Sequence, residues 1–541
     1  MQARRYWGLA GLVCVAVGVA LGELLAAFTS PAASPVSAVG QAVIGLLPGQ
    51  VKEWAIHLFG TADKTVLLLT MVLVMGLLAF SAGVLEKARR GMGMVLIGAF
   101  GVVGLAAVAV NAQASILAYA APIVAAGVAM GLLSWVRGRF LDDDLALHQA
   151  SELRAAKMAA DSKGVSGKQK TPTRTPAAIR ETSAREASRR KFLVTMGTGA
   201  ALAVVAGGAS TIFRRASVVV TELRAMVRLP MPKKPAAPIP AGAQLDIPGI
   251  TSLVTDPETF YRIDTALVVP AVNSDTWTVK VTGMVEREIT LNYAQLLAKP
   301  MVEEHITIGC VSNEVGGGLV GNARWLGWPV RELLAEAGVL PGADMVLSRS
   351  TDGFTAGTPL EAMTDDRNSM IAVGMDGEPL SLVHGYPARM VVPGLYGYVS
   401  ATKWLMELKV TTFAADQGYW TPLGWSALGP IKTASRIDVP RSGAKPSAGQ
   451  FTAAGVAWAP ERGISAVEVA LDGGSWVKAT LAEAINKDTW VQWKVSLDLA
   501  AGGHELKVRA VDGEGTVQTA TLAAPAPNGA SGHHTVNFTA Q

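Results

Sequence analysis

Residues 307–329 read TIGCVSNEVGGGLVGNARWLGWP and hold one of only two cysteines in a chain of 541 residues. A lone cysteine is most often a small buried hydrophobe. The glycines that follow Cys310 form a loop, but not a nucleotide-phosphate loop, because no Gly-Lys-Ser or Gly-Lys-Thr comes after them. The second cysteine, Cys14, lies in a distant apolar run. The two are not expected to pair, so this half of the chain must be stable through its core, and it is long enough to build one.

Working outward from this stretch, short strand-like runs alternate with short helical ones. Residues 276–282 alternate as a strand and stop at Gly283, 292–298 form a short helix candidate, and 330–337 are amphipathic and stop at Gly338. This is an α+β pattern. From about 448 the pattern changes. Residues 467–471, 491–497 and 505–511 alternate at period two, with Asp472-Gly473-Gly474, Ala501-Gly502-Gly503 and Asp512-Gly513 as turns. Repeated short strands with glycine turns predict an Ig-like β-sandwich.

The N-terminal quarter is different in kind. Half of all residues are hydrophobic and only 17% are charged, and residues 1–136 concentrate the apolar share. Four apolar runs, 7–28, 65–85, 92–110 and 116–136, each approach the length needed to cross a bilayer as a helix. Arg4, Arg5, Lys87, Arg89, Arg90, Arg137 and Arg139 cluster on one side of these runs, which predicts that side to be cytoplasmic. A polar linker, 137–191, then ends in Ser188-Arg189-Arg190-Lys191-Phe192-Leu193, and a fifth apolar run follows at 192–213. This junction is similar to a twin-arginine export signal. No small-residue cleavage site stands out after it, so the run is expected to remain as a fifth span. A proline-rich spacer is expected at 214–249. No histidine lies in a span, so no haem is expected there by paired histidine ligands. The net charge of +4, without a basic stripe interleaved with aromatics, argues against a nucleic-acid partner.

The stretch around Cys310, with Asn313 and the segment 321–325, closely resembles the molybdopterin-binding domain of the sulfite oxidase family. Further motifs fall in the family's order: 260–265 (FYRIDT), 376–380 (DGEPL), 384–389 (HGYPAR), 392–397 (VPGLYG) and Lys403-Trp404. The segments 418–420, 432–436 and 457–458 are similar to its link and its C-terminal domain. The resemblance covers about 250–541. It implies that Cys310 supplies the thiolate to a molybdenum ion held by one molybdopterin per chain. It implies pterin contacts from Asp264, Thr265, Asn313, Asp352, His384, Arg389, Ser400, Thr402 and Lys403. A soft thiolate suits a metal already held by a dithiolene, and Arg389 can bind a phosphate in a bidentate way. The expected parts are therefore a membrane domain at 1–136, the linker and fifth span, a molybdopterin-binding domain at 250–440 and a sandwich at 441–541 of a type that often forms dimers.

The family pattern breaks where the substrate should bind. Glu314 and Val315 follow Asn313 where sulfite oxidases carry arginines, Ile263 stands at another arginine position, and Phe354 replaces a tyrosine. A buried site without those charges should hold sulfite poorly. The expected function is thus extracytoplasmic oxygen-atom transfer on a small or protein-bound substrate, with a separate electron-transfer partner. Methionine-sulfoxide reduction and sulfite dehydrogenation are the alternatives within this class. Outside it stands a metal-free anchored binding protein. A hydrolase is disfavoured because no Gly-x-Ser-x-Gly occurs, and the adjacent His533 and His534 make a weak zinc site. The export reading has a direct check. In the full chain, Arg189→Lys with Arg190→Lys should leave residues beyond 213 shielded from protease added outside the cell, whereas the natural chain is cut. Equal cutting of both chains would rule out the twin-arginine route.

Overall fold

The computed structural model describes residues 2–29, 34–47, 51, 58, 63–110, 116–139, 194, 196–201, 203, 204, 216–266 and 268–541. The chain divides into two compact units, Met1–Ala216 and Ser217–Gln541. The first contains the helices α1 (Gln2–Thr29), α2 (Pro35–Leu46), α3 (Asp63–Ala88), α4 (Met92–Ala109) and α5 (Ile116–Arg139). Among the described residues, four segments are long and apolar enough to cross a membrane: Arg5–Ala27, Val66–Ala88, Met92–Ala109 and Ile116–Arg139. The fifth span expected from the sequence falls mostly outside the described residues. Most of 192–213, the twin-arginine pair and nearly all of the linker lie outside the described residues, although Val194 and the residues described after it up to 204 are helical. Glu86, fully buried at the end of α3, accepts from the amides of Gly91 and Gly93 and pairs with Arg137. An anion at a helix N-terminus satisfies donors that have no partner within the helix.

The second unit opens with α6 (Ala216–Met226) and a proline-rich strap. The strap is the proline-rich spacer expected at 214–249, and it lies against the rest of the unit. Arg224 on α6 donates to the carbonyls of Pro379 and Leu380. The amide of Lys233 donates to Met301 O, and Lys234 O accepts from Glu303. Proline leaves alternate carbonyls and amides free to pair, so a proline-rich segment can lie along a strand edge.

The first lobe has ten strands: β1 (Thr278–Gly283), β2 (Ile289–Asn292), β3 (Val302–Gly309), β4 (Val320–Pro329), β5 (Met345–Ser350), β6 (Thr355–Pro359), β7 (Met370–Met375), β8 (Glu378–Pro379), β9 (Arg389–Val391) and β10 (Leu405–Thr411). They form two sheets, ordered β2-β1-β10-β5-β6 and β3-β4-β7-β8, with β9 on the free side of β7. The helices between them, α7 (Tyr293–Leu297), α8 (Val330–Ala337) and α9 (Glu361–Thr364), are short. The lobe is therefore β-rich rather than evenly α+β. Local chemistry sets the helix ends. Asn292 and Gln295 form a reciprocal capping box at the start of α7, and Gly338 ends α8 at φ 70°. Trp277, Trp325, Trp328 and Tyr386 anchor the core.

The last lobe is two four-stranded antiparallel sheets. One is β11 (Ala434–Val439), β12 (Gly449–Trp458), β16 (Val491–Leu499) and β15 (Thr480–Leu481); the other is β14 (Val477–Lys478), β13 (Ile464–Leu471), β17 (Gly502–Asp512) and β18 (His534–Ala540). Val456 belongs to the first lobe's core, whereas Ala453, Val467, Trp493, Leu506 and Phe538 share a second core between the sheets. The strand pattern read from the sequence thus forms a sandwich, but it begins at β11, ahead of the expected boundary at 441. The pairing of β11 on β12 is close enough that a Cβ at Gly455 would meet both Arg436 O and the ring of Trp493. Gly455→Val should lower stability by about 2–3 kcal/mol through overpacking. Denaturant midpoints of the two chains check this, and an unchanged midpoint would contradict the close approach.

Candidate active site

The candidate residues sit where strands end. Cys310 follows β3, Asp352 follows β5, Arg389 opens β9, and Lys403 precedes β10. Period-two strands that share a sheet bring such ends together although they are far apart in sequence.

Cys310 is buried. Its amide donates to Leu319 O, and its own carbonyl accepts from Asn313, so the glycine-rich loop closes back on itself. Asn313 Oδ1 completes the closure by accepting from Leu319 N at 2.7 Å. Burial pushes the Cys310 thiol up, while donors from the Ser312 amide, the Ser312 hydroxyl and the Val311 amide pull it partly back. Those three donors favour a thiolate. Tyr261 lies within the electrostatic reach of both the cysteine and Arg389. Burial raises its phenol, Cys310 raises it further, and Arg389 lowers it.

Arg389 is buried, with its guanidinium 5.0 Å from the centre of the Trp325 ring. Its hydrogen bonds are long and go to neutral acceptors, Met390 O at 3.4 Å and His384 O at 3.3 Å. No described carboxylate forms an ion pair with it. Burial alone holds it down to about 10, with Tyr261 acting the other way. A buried cation without an anion is costly. Gly321, on β4, lets the Phe260 ring lie where a Cβ would be, and Phe260 in turn meets Trp325 and His384 edge-on at 6.0 and 5.6 Å.

His384, expected among the pterin contacts, is placed here with its ring already engaged. Nε2 bonds to Pro257 O at 2.9 Å, so the ring hydrogen is on that nitrogen. Burial, followed by Arg389, Lys403 and Arg262, lowers the ring to about 4. It is neutral at pH 7, and Nδ1 is an acceptor. Lys403 is buried and donates to Asp264 Oδ2 at 2.8 Å and to Val383 O at 3.1 Å. Burial holds it down to about 8 against the pull of Asp264. Thr265 donates to Asp352 Oδ2, whose other oxygen accepts from Phe354 N.

Ser400 and Thr402 are buried but engaged elsewhere. Ser400 Oγ donates to Leu395 O and Tyr396 O, and Thr402 Oγ1 pairs with Ser348 Oγ at 2.7 Å. With Asn313, their side chains brace loops, which leaves their backbone as the part that can face a ligand. Arg262 pairs with Asp264 and so joins the site's rim. Arg324 does not join it, since it bonds Glu303 and alternates with Trp325 to the opposite face of β4. Tyr261 was not singled out by sequence reasoning, although its neighbour Phe260 and Asp264 are in the same motif.

Residues 266–420 match the family described as the oxidoreductase molybdopterin binding domain. Sulfite oxidase of Gallus gallus is 28% identical over 305 residues, covering 48% of this chain and 66% of that protein. An NADH nitrate reductase of Spinacia oleracea is 33% identical over 178 residues, covering 28% of this chain and 19% of that one. The sulfane dehydrogenase SoxCD of Paracoccus pantotrophus shares 24% identity at a TM-score of 0.45, covering 50% of this chain and 75% of that one. The chain spans 66% of the chicken enzyme's length and 56% of the human enzyme's. The second unit therefore carries a molybdopterin-binding oxidoreductase domain. Across that domain the chain is similar in sequence to sulfite oxidases.

The buried imidazole gives a pH signature. The folded-state value of about 4 lies below the ordinary 6.5, so the unfolded chain takes up this proton first as pH falls. Its contribution to stability is constant above about 6.5 and is lost between 6.5 and 4, by roughly 3 kcal/mol. Denaturant midpoints of the cofactor-free protein at both ends of this range should show a smaller acid-side loss in His384→Gln. Parallel curves for the two chains would mean that His384 is not held neutral.

Proposed function

We propose that this chain is a membrane-anchored enzyme whose second unit lies outside the cytoplasm. It holds one molybdenum–pterin cofactor and carries out oxygen-atom transfer on a small or protein-bound substrate, with a separate protein as electron partner. The observation that carries this reading is Arg389, a guanidinium buried with no ion pair to a described carboxylate and with long bonds to carbonyls. Such a donor fork fits an anionic phosphate group.

The residues present fit the cofactor. Cys310 would ligate the metal and Arg389 would hold the phosphate. Lys403, Asp264, Thr265 and Asp352 would line the polar pterin, with backbone groups at Asn313, Ser400 and Thr402. When bound, the cofactor supplies two-electron oxygen-atom transfer chemistry. The chain's own contributions are separate from it. The amides of Val311 and Ser312 and the Ser312 hydroxyl stabilise negative charge on the Cys310 sulfur. Trp325 fixes the plane of Arg389, and the Lys403–Asp264 pair is locked before any ligand arrives. His384, neutral and tied to Pro257, offers an acceptor at Nδ1 to a donor on the pterin.

The five-span anchor, the Ig-like nature of the last lobe and its use as a dimer contact belong to the same proposal. They rest on the apolar runs, the basic residues beside them and the two facing sheets. A metal-free binding protein would leave Arg389 without a purpose. Elemental analysis of the purified full chain decides. Molybdenum near one per chain is expected, falling at least tenfold in Cys310→Ser and in Arg389→Met. A natural chain that is folded yet carries no molybdenum, even when produced in cells making the cofactor, would sink the proposal.

A further inference from the structure

A second cavity-forming region lies away from the cysteine. Strap residues 236–239, Val254, His305, Arg324 and Asp376 line a cavity of about 310 Å³. The strap residues and Val254 supply its apolar lining, and the other three supply its polar lining. His305 on β3 is paired in register with Arg324 on β4, so the two side chains share a face. That face is opposite to the one carrying Trp325 and its stacked Arg389. Asp376, in the turn between β7 and β8, accepts from the Arg324 amide through Oδ1 at 2.8 Å.

Two polar atoms of this lining have no partner among the described residues. His305 is 4% exposed, and its Nδ1 is buried without a hydrogen bond. Asp376 Oδ2 is buried in the same state. Burial, then Arg324, lowers the His305 ring from its ordinary value against the pull of Glu303, so the ring is neutral at pH 7. With its hydrogen on Nε2, a neutral imidazole offers Nδ1 as an acceptor. Burial raises the Asp376 carboxyl, Arg324 lowers it, and Asp256 and Glu303 raise it further. Arg324 is also drawn to Glu303, at 3.4 Å. Three carboxylates thus surround one guanidinium, and the two orphan atoms both call for a donor. Buried acceptors without donors are costly.

We propose that this cavity binds a small organic amine in its protonated form, with the ammonium toward Asp376 Oδ2 and His305 Nδ1 and the apolar body against the strap and Val254. An ammonium has three donors and no acceptor, which matches the orphan pair and the excess of carboxylates. An anion would meet those carboxylates. A bare metal ion fits less well, because among the described residues no three histidine, cysteine or carboxylate side chains are placed to hold one. The volume suits a compact ligand with an apolar portion. The inference goes beyond the proposed function and does not depend on it.

The test titrates the full chain, with its cofactor, with benzylamine by calorimetry, using benzyl alcohol and benzoate as comparators with the same ring. Benzylamine should bind once per chain and at least tenfold more tightly than either comparator. Asp376→Asn keeps an acceptor for the Arg324 amide and tolerates the left-handed backbone at φ 51°, but removes the charge. It should weaken benzylamine by about tenfold or more, the effect of one charge-assisted hydrogen bond. Ala236→Leu fills the apolar side while its amide can still donate to Glu303, and should weaken benzylamine by a similar factor. Unchanged thermal midpoints without ligand show that both variants fold. No binding of benzylamine to the natural chain would overturn the inference and mean that the cavity holds water only. Equal affinity for benzyl alcohol, or for the natural chain and both variants, would overturn it as well. A chain that binds benzylamine as expected but carries no molybdenum would sink the proposed function and leave this inference standing.

Discussion

A guanidinium in a protein interior needs an anion or a set of well-placed carbonyls, and among the described residues Arg389 has two long bonds to carbonyls. What holds it is the face of Trp325, whose quadrupole attracts a cation that water no longer reaches. Much of the lobe is arranged around that stack. Trp325 is fixed by its indole N–H on Ile306 O, one strand away. Phe260 meets Trp325 edge-on in the gap left by Gly321. His384 gives its carbonyl to Arg389 and its ring to Pro257. A phosphate at Arg389 would relieve that electrostatic deficit, and the charge that would receive it is already held in place by Trp325.

Some of this was legible in the sequence because it is local. The period-two runs, the stop at Gly338 and the short helix at 293–297 follow from side-chain alternation and capping within a few residues. Cys310, His384 and Arg389 stand in short motifs that can be matched one by one. Other features depend on pairing across long separations, which alternation does not encode. The parallel join of β1 to β10 and the Lys403–Asp264 pair are of this kind. So is the direction of His384, set by a carbonyl 127 positions away. The docking of the proline-rich strap was not legible for a related reason. Composition reports stiffness, but whether a stiff segment floats or lies against an edge depends on the partner strand.

The two lobes of the second unit are also less separable than a domain list implies. Asn486 and Asp488 of the last lobe bond the backbone of β3, and Trp490 takes its amide's acceptor from Thr307. Arg436, on β11, donates to Gly317 O in the cysteine loop. The loop that presents Cys310 is therefore braced by strands outside the matched family domain, which ends at residue 420. Disturbance of the sandwich should be felt at the cysteine through these bonds.

The strap has a consequence for the solubility of the second unit. β3 is an outer strand of its sheet, and such a strand presents free amides and carbonyls to any passing chain. The strap occupies part of that border at Lys233 and Lys234, and its prolines cannot donate onward to another strand. It acts as a guard against sheet-to-sheet aggregation as well as a tether. A fragment beginning after residue 240 would keep the cysteine, the arginine and the sandwich, yet bare the part of the edge that the strap covers in the intact chain.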